Sequence, residues 1–361
     1  MIPMADSVIS FGNSGSDAND THIKLLRYYH EAIGKPERRK IISRERSYHG
    51  VTVAAASLTG LPVTQNHFDL PVDALGILRT DHPHYYRGKQ GEETEDEFVD
   101  RIVGNLEAMI VAEGPETIAA FIAEPITGAS GVIVPPAGYY QKVQAVLNRY
   151  DIMFWADEVI TGFGRTGSDF GCNTMGIESP DMMTFAKQLS SAYMPISASA
   201  IRRDMYDAMI DQTANAGAFG HGYTYSGHPV ACAVALKVLE IYQRDQIFEK
   251  AAKTGAYLQQ RLASFADHPL VGEVRGSGLL GALELVANKE TGEAFVGGAV
   301  GGYAQKMAQD NGLLIRAVAG SSLGICPPLI ITEQQIDEMV GKLSKALDAT
   351  LEHCTKQGLL T

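Results

Sequence analysis

Short apolar runs alternate with longer amphipathic segments along most of this 361-residue chain. Residues 8–11, 39–42, 119–123, 152–156 and 182–186 have the length and composition of strands. Between them, residues 19–33, 95–113, 138–150 and 229–244 repeat apolar side chains at helical spacing. Strands separated by helices need crossover connections, which produce a mainly parallel sheet with helices on both faces. Runs that are apolar throughout, such as IMFWA, fit strands covered on both sides. The fold class is therefore α/β.

The pattern changes at about residue 246. A helical stretch over 229–265 leads into shorter strands (281–286 and 313–316) and two helices (300–310 and 333–353). The expected division is a large domain, 1–245, and a smaller C-terminal α+β domain, 246–361.

Charge narrows the function classes. The formal net charge is −12. Without a basic stripe the chain is a poor duplex binder, because phosphate neutralisation drives that association. The one basic run, KPERRKIISRER at 35–46, reads as a solvated loop leading into a strand. The acidic run 92–100 reads as an exposed helix start, where carboxylates suit the positive dipole end. Four scattered cysteines form no CxxC pair, so neither a zinc ribbon nor a redox motif is expected, and no metal. MIPMADSV has no basic n-region or long apolar h-region, and no stretch reaches the ~18 apolar residues of a membrane span. These features predict a cytoplasmic protein with no membrane partner.

Two GxGxxG matches, GFGRTG at 162–167 and GSGLLG at 276–281, suggest a dinucleotide fold. With 37 glycines, such a pattern arises by chance about 0.4 times in a chain this long. The polar insert DEVIT also separates the first match from its strand, against the fingerprint's requirement. GNSGSDAND at 12–20 is a better anion site, lying between a short strand and a helix. Small residues let backbone N–H groups approach a phosphate at the helix start. Simple capping by Ser and Asp is the plain alternative.

Two strands end in reactive groups. IMFWADE closes on Asp157 and Glu158, and MMTFAK closes on Lys187. A carboxylate at the end of a parallel strand sits where α/β sheets take ligands. A lysine in a pocket can serve as a Schiff-base amine. Thirty residues separate Asp157 from Lys187, one strand–helix–strand step, so both could line one crevice. A surface acid and a solvated strand end are the alternatives. Tyr48, in SYHG, offers a ring able to stack on a flat ligand.

NSGSDAND, SYHGVT, AEPITGASGVIVPP, WADEVITGFGRTG, AKQLSS and GYTYSGHPVACAVA follow one another in this chain. In that order they resemble the class III aminotransferases, pyridoxal-phosphate enzymes of fold type I, over nearly the whole length. RERSYHGVTVAAASLTGLP and SSAYMPI most resemble the omega-amino-acid:pyruvate branch. The resemblance implies pyridoxal 5′-phosphate as cofactor and a seven-stranded-type central sheet. It implies that Lys187 is the Schiff-base lysine and proton carrier, and that Asp157 pairs with the pyridine nitrogen. Tyr48 and Val159 would cover the two ring faces, Gly15 and Ser16 would hold the phosphate, and Glu124 and His49 would line the ring's surroundings. Thr224 would reach the phosphate of a neighbouring subunit, which implies a homodimer or a dimer of dimers. An amine donor and a keto-acid acceptor, pyruvate, are the implied substrates.

In 2-oxoglutarate-using relatives an arginine lies three residues before a Pro-Pro pair. Here Gly324 has that place, and Arg316 matches the mobile carboxylate-binding arginine of omega transaminases. Asp17 stands where a glutamate is usual, and Gln188 where a small residue is common. Only ten residues precede Phe11, so against the family pattern the chain is expected to lack its first section. Two other readings stay open: a same-fold aminomutase, decarboxylase or racemase, and a cofactor-binding oligomer with poor catalysis.

Overall fold

Seven strands make the first sheet of a computed structural model that describes residues 2–361. They are β1 (Ser7–Gly12), β2 (Lys40–Arg44), β3 (Ile77–Thr80), β4 (Ile118–Ala123), β5 (Met153–Asp157), β6 (Met182–Phe185) and β7 (Ser197–Arg202). The spatial order is β1-β7-β6-β5-β4-β2-β3. The block from β3 to β6 is parallel, and β7 runs against both its neighbours. Every residue of β4, β5 and β6 is buried, as apolar runs without alternation require.

Side chains pack on both faces. On one, Trp155, Ile122, Ile41 and Met182 join Ile23 and Leu26 of the Gly15–Ala32 helix. On the other, the Phe154 ring meets Phe121 and Tyr140, the latter from the Tyr139–Arg149 helix. The Glu95–Glu113 helix starts on a capping box between Thr94 and Glu97, with three acids in its first turn.

The basic run differs from its sequence reading. Arg38 and Arg44 are buried rather than solvated. Arg38 donates to the carbonyls of Ile118 (3.2 Å) and Tyr150 (3.4 Å). Arg44 donates to Tyr140 Oη (3.0 Å), Thr127 Oγ1 (3.2 Å) and the Glu124 carbonyl (2.6 Å). A guanidinium can be buried where most of its N–H groups meet carbonyl and hydroxyl oxygens.

The chain divides into two compact units. One holds the chain up to Thr127, Pro135–Phe163 and Phe170–Asp245. The other holds Gly128–Val134, Gly164–Asp169 and Gln246–Thr361. The helical stretch after residue 229 is two helices, Pro229–Arg244 and Ile247–Ala263, broken at Gln246 with φ +50°.

The second unit carries an antiparallel sheet of β8 (Val271–Ser277), β9 (Leu280–Asn288), β10 (Glu293–Ala294), β11 (Arg316–Val318) and β12 (Ser322–Ile325). Helices Ala299–Asp310 and Glu333–Gln357 belong to it. The GSGLLG motif is the β8–β9 hairpin, closed by Gly278 and Leu279. Gly278 has φ +57°, and a Cβ there would collide with the Thr166 and Gly167 backbone. The other motif, GFGRTG, is a loop whose Arg165 donates to the carbonyls of Leu279 (3.0 Å) and Pro327 (2.6 Å). Neither motif opens a helix as a dinucleotide turn must. No helix among the described residues is long and apolar enough to cross a membrane.

Candidate active site

The loops leaving β1, β2, β4, β5 and β6 line one cavity of about 420 Å³, a size suited to a small molecule. It lies within the first unit, at the carboxyl ends of the parallel strands, where open α/β sheets take ligands. Gly15, Ser16, Tyr48, His49, Glu124, Asp157, Val159 and Lys187 all line it. Thr224 does not; it is exposed on the segment before the Pro229–Arg244 helix. Arg316 belongs to the second unit, exposed on β11 and directly opposite Gly324 of β12.

Asp157 is 3% exposed and is held from three sides. His49 Nδ1 lies 2.8 Å from its Oδ2, and Asn19 Nδ2 donates to the same oxygen at 3.1 Å. The Val159 N–H donates to Oδ1 at 3.1 Å. Burial alone would raise this carboxyl's pKa. The bonds from His49, Asn19 and Val159 outweigh burial and hold it below the ordinary carboxylate value.

Its neighbour Glu158 has a different task. Its carboxylate accepts from the N–H groups of Gly171 (2.9 Å) and Cys172 (2.7 Å), at the start of the Gly171–Met175 helix, and from Thr161 Oγ1 (2.5 Å). Burial raises its pKa against these bonds. Glu158 is a structural acid, and Asp157 is the one that reaches the cavity.

The Gly15–Ala32 helix begins at the cavity wall. Ser14 caps it, accepting from the Asp17 N–H at 3.3 Å, and Asp17 Oδ1 accepts from the Ser14 N–H at 3.0 Å. This capping box uses Ser14 and Asp17 but leaves the first helical N–H groups, on Gly15 and Ser16, without intrahelical acceptors. The backbone there is tightly fitted. A Cβ on Gly15 would stand 3.0 Å from Val159 Cγ2. Gly50 has φ +129°, and a Cβ on it would stand 2.5 Å from Ser16 Oγ. That hydroxyl accepts from the Val51 N–H at 3.1 Å.

Lys187 follows β6 in a left-handed backbone conformation, φ +40°, that non-glycine residues rarely adopt. Glu124 ends β4, and its Oε1 accepts from the Tyr48 N–H at 2.9 Å, fixing the loop that carries Tyr48.

Residues 1–347 match the profile of class III aminotransferases. The chain belongs to the class III aminotransferase family. It is 49% identical to a gamma-aminobutyrate transaminase of Solanum lycopersicum, over 94% of this chain and 65% of that protein. It is 44% identical to a diaminobutyrate–2-oxoglutarate transaminase of Halomonas elongata, over 98% of this chain and 76% of that one. The omega transaminase of Pseudomonas jessenii, solved in complex with PMP, superposes with a TM-score of 0.95 at 49% identity, over 98% of this chain and 77% of that chain. The chain thus spans less than two thirds of the tomato relative's length.

This family uses pyridoxal 5′-phosphate, and the fold is that of fold type I enzymes. The residues present fit the cofactor. The cavity offers a proton-free carboxylate at one side and a glycine-lined helix start, with no room for a Cβ, at another. An amine stands at the end of β6.

Three buried residues next to the cavity wall escaped the sequence reading. Asn19, Thr184 and Trp155 stand behind Asp157, linked to it by hydrogen bonds. The available signal was weak: one threonine in the apolar run MMTFA, and the last asparagine of NSGSDAND.

Proposed function

We propose that the chain is a transaminase that moves an amino group from an omega-amino acid or amine to a keto acid. Gamma-aminobutyrate, beta-alanine and aryl amines are the donor class, and pyruvate is the acceptor. The observation that carries this reading is the meeting of Asp157 and Lys187, from adjacent parallel strands, in one cavity with the start of the Gly15–Ala32 helix.

When bound, pyridoxal phosphate supplies an aldehyde that takes up amines and a ring that accepts electron density from the substrate carbon. Lys187 would supply the amine that anchors the cofactor through its aldehyde carbon, with loss of water, and its Nζ, once free, would carry the proton removed from the donor's carbon. Asp157, ionised, would accept a hydrogen bond from the cofactor's ring nitrogen and favour its protonated form. The Gly15 and Ser16 N–H groups receive the phosphate at the positive end of the helix. Tyr48 and Val159 flank the ring, and His49 and Glu124 fix the wall around it. Thr224, exposed and outside the cavity, reaches the phosphate of a second copy, so the working unit is a homodimer or a dimer of dimers. Arg316 takes the carboxylate of the keto acid through its forked guanidinium. Four cysteines, none of them in a disulfide, agree with a cytoplasmic setting.

The test combines the purified chain, pyridoxal phosphate, an omega-amine and pyruvate. Alanine is expected. Lys187→Ala should lower its formation by roughly a thousandfold, the scale of losing a positioned proton carrier. Carbon dioxide or a rearranged amine in place of alanine would favour the decarboxylase or aminomutase reading. Cofactor binding with no turnover would favour the poorly catalytic oligomer.

A further inference from the structure

Behind Asp157 lies a line of four hydrogen-bonded residues drawn from three separate segments. Trp155 Nε1 is 2.8 Å from Thr184 Oγ1. Thr184 Oγ1 is 2.8 Å from Asn19 Oδ1. Asn19 Nδ2 is 3.1 Å from Asp157 Oδ2. All four residues are 3% exposed or less, so no water competes for these atoms.

The direction of the line follows from what each group can do. An indole N–H only donates. The Thr184 oxygen therefore accepts from Trp155, and its single proton points onward to Asn19. The atom of Asn19 that receives it must be the carbonyl oxygen. The amide nitrogen is then turned towards Asp157. A second constraint agrees: the same nitrogen is 2.6 Å from the His49 carbonyl, which only accepts. Register makes the line possible, since Asp157 of β5 pairs with Thr184 of β6.

We propose that Trp155 and Thr184, acting through Asn19, are positioning residues that keep Asp157 a proton-free acceptor for the ring nitrogen of the cofactor. With Asn19 so turned, its amide N–H points at Oδ2 in place of its carbonyl oxygen, and a proton on Oδ2 would meet that N–H. Successive donors pointing one way also polarise one another and strengthen the last bond. The inference rests on the pyridoxal-phosphate reading above.

The test compares pyridoxal phosphate with its analogue in which a ring carbon replaces the pyridine nitrogen. Binding to the full chain is measured by equilibrium dialysis, for wild type, Thr184→Val and Thr184→Ser. Thr184→Val keeps the shape but removes the hydroxyl, and should weaken pyridoxal phosphate roughly tenfold, the scale of one hydrogen bond to a charged group. The analogue should bind Thr184→Val and wild type alike, and Thr184→Ser should restore the affinity for pyridoxal phosphate. Trp155 is the sole tryptophan, so one indole N–H resonance reports on the line without any mutation. It should move when wild type binds pyridoxal phosphate and stay in place with the analogue. Equal loss for both ligands in Thr184→Val, or an indole signal indifferent to which ligand is bound, overturns the proposal and leaves the functional reading intact. Failure of wild type to bind either ligand overturns both.

Discussion

Asp157 and Glu158 are adjacent and carry the same charge, yet they do unrelated work. Asp157 ends β5 at the cavity, while Glu158 caps a short helix through two backbone N–H groups. The sequence marks the pair, but only the direction in which each side chain leaves the strand end separates them. The arginine question has a similar answer. Arg316 and Gly324 are directly opposite on β11 and β12, and paired residues of an antiparallel ladder project to one face. Side chains at positions 316 and 324 therefore open on the same side. A Cβ at Gly324 would meet its nearest atoms at 3.7 Å, so a side chain fits. Arg316→Ala should slow the half-reaction with keto acids at least tenfold while sparing that with simple amines. Adding Gly324→Arg should recover part of the loss. Stopped-flow measurement of both half-reactions checks this, and equal slowing of the two would remove Arg316 from carboxylate binding.

The Gly15–Ala32 helix joins the site to the core. Its first turn faces the cavity, and its inner side carries Ala18, His22, Ile23, Leu26 and His30. Two of those buried residues are titratable. Burial lowers both histidines to about 4, helped at His30 by Arg38 and Lys35. Both are thus neutral in the folded chain and protonate near 6.5 in the unfolded chain. The unfolded state binds more protons between those values, so stability falls as pH drops from about 6.5 towards 4. For the fully buried His22 the slope is about 1.4 kcal/mol per pH unit. Urea denaturation should show lower stability at pH 5.5 than at pH 7, and His22→Gln should flatten the difference. A stability unchanged between the two pH values would contradict it. The same helix shows what periodicity conveys. Its apolar spacing marks the element, but residues 15–18 are small or polar and give no helical pattern, so the start at Gly15 becomes visible only through the Ser14–Asp17 cap.

At the scale of the molecule, the first unit exposes apolar side chains, among them Ile9, Phe11, Ile210 and Tyr225. Isolated exposed residues are ordinary, but here Tyr225 adjoins Thr224, the residue assigned to a second copy's phosphate. The dimer should therefore hold cofactor better than the monomer. Sedimentation across a dilution series, with pyridoxal phosphate affinity measured at each concentration, should show affinity falling as dimers dissociate. Undiminished affinity in a monomer would remove Thr224 from the site. The sequence by itself determined the kinds and order of most elements, because side-chain periodicity and turn chemistry act over a few residues. It also placed Asp157 and Lys187 at the ends of their strands, and Gly15 and Ser16 between a strand and a helix, the places where open α/β sheets take ligands. It did not show that β7 runs against its neighbours, that Arg38 and Arg44 are buried, or that Trp155, Thr184 and Asn19 converge behind Asp157. Each of these depends on register and side-chain direction between segments distant in the chain, which only the packed sheet decides.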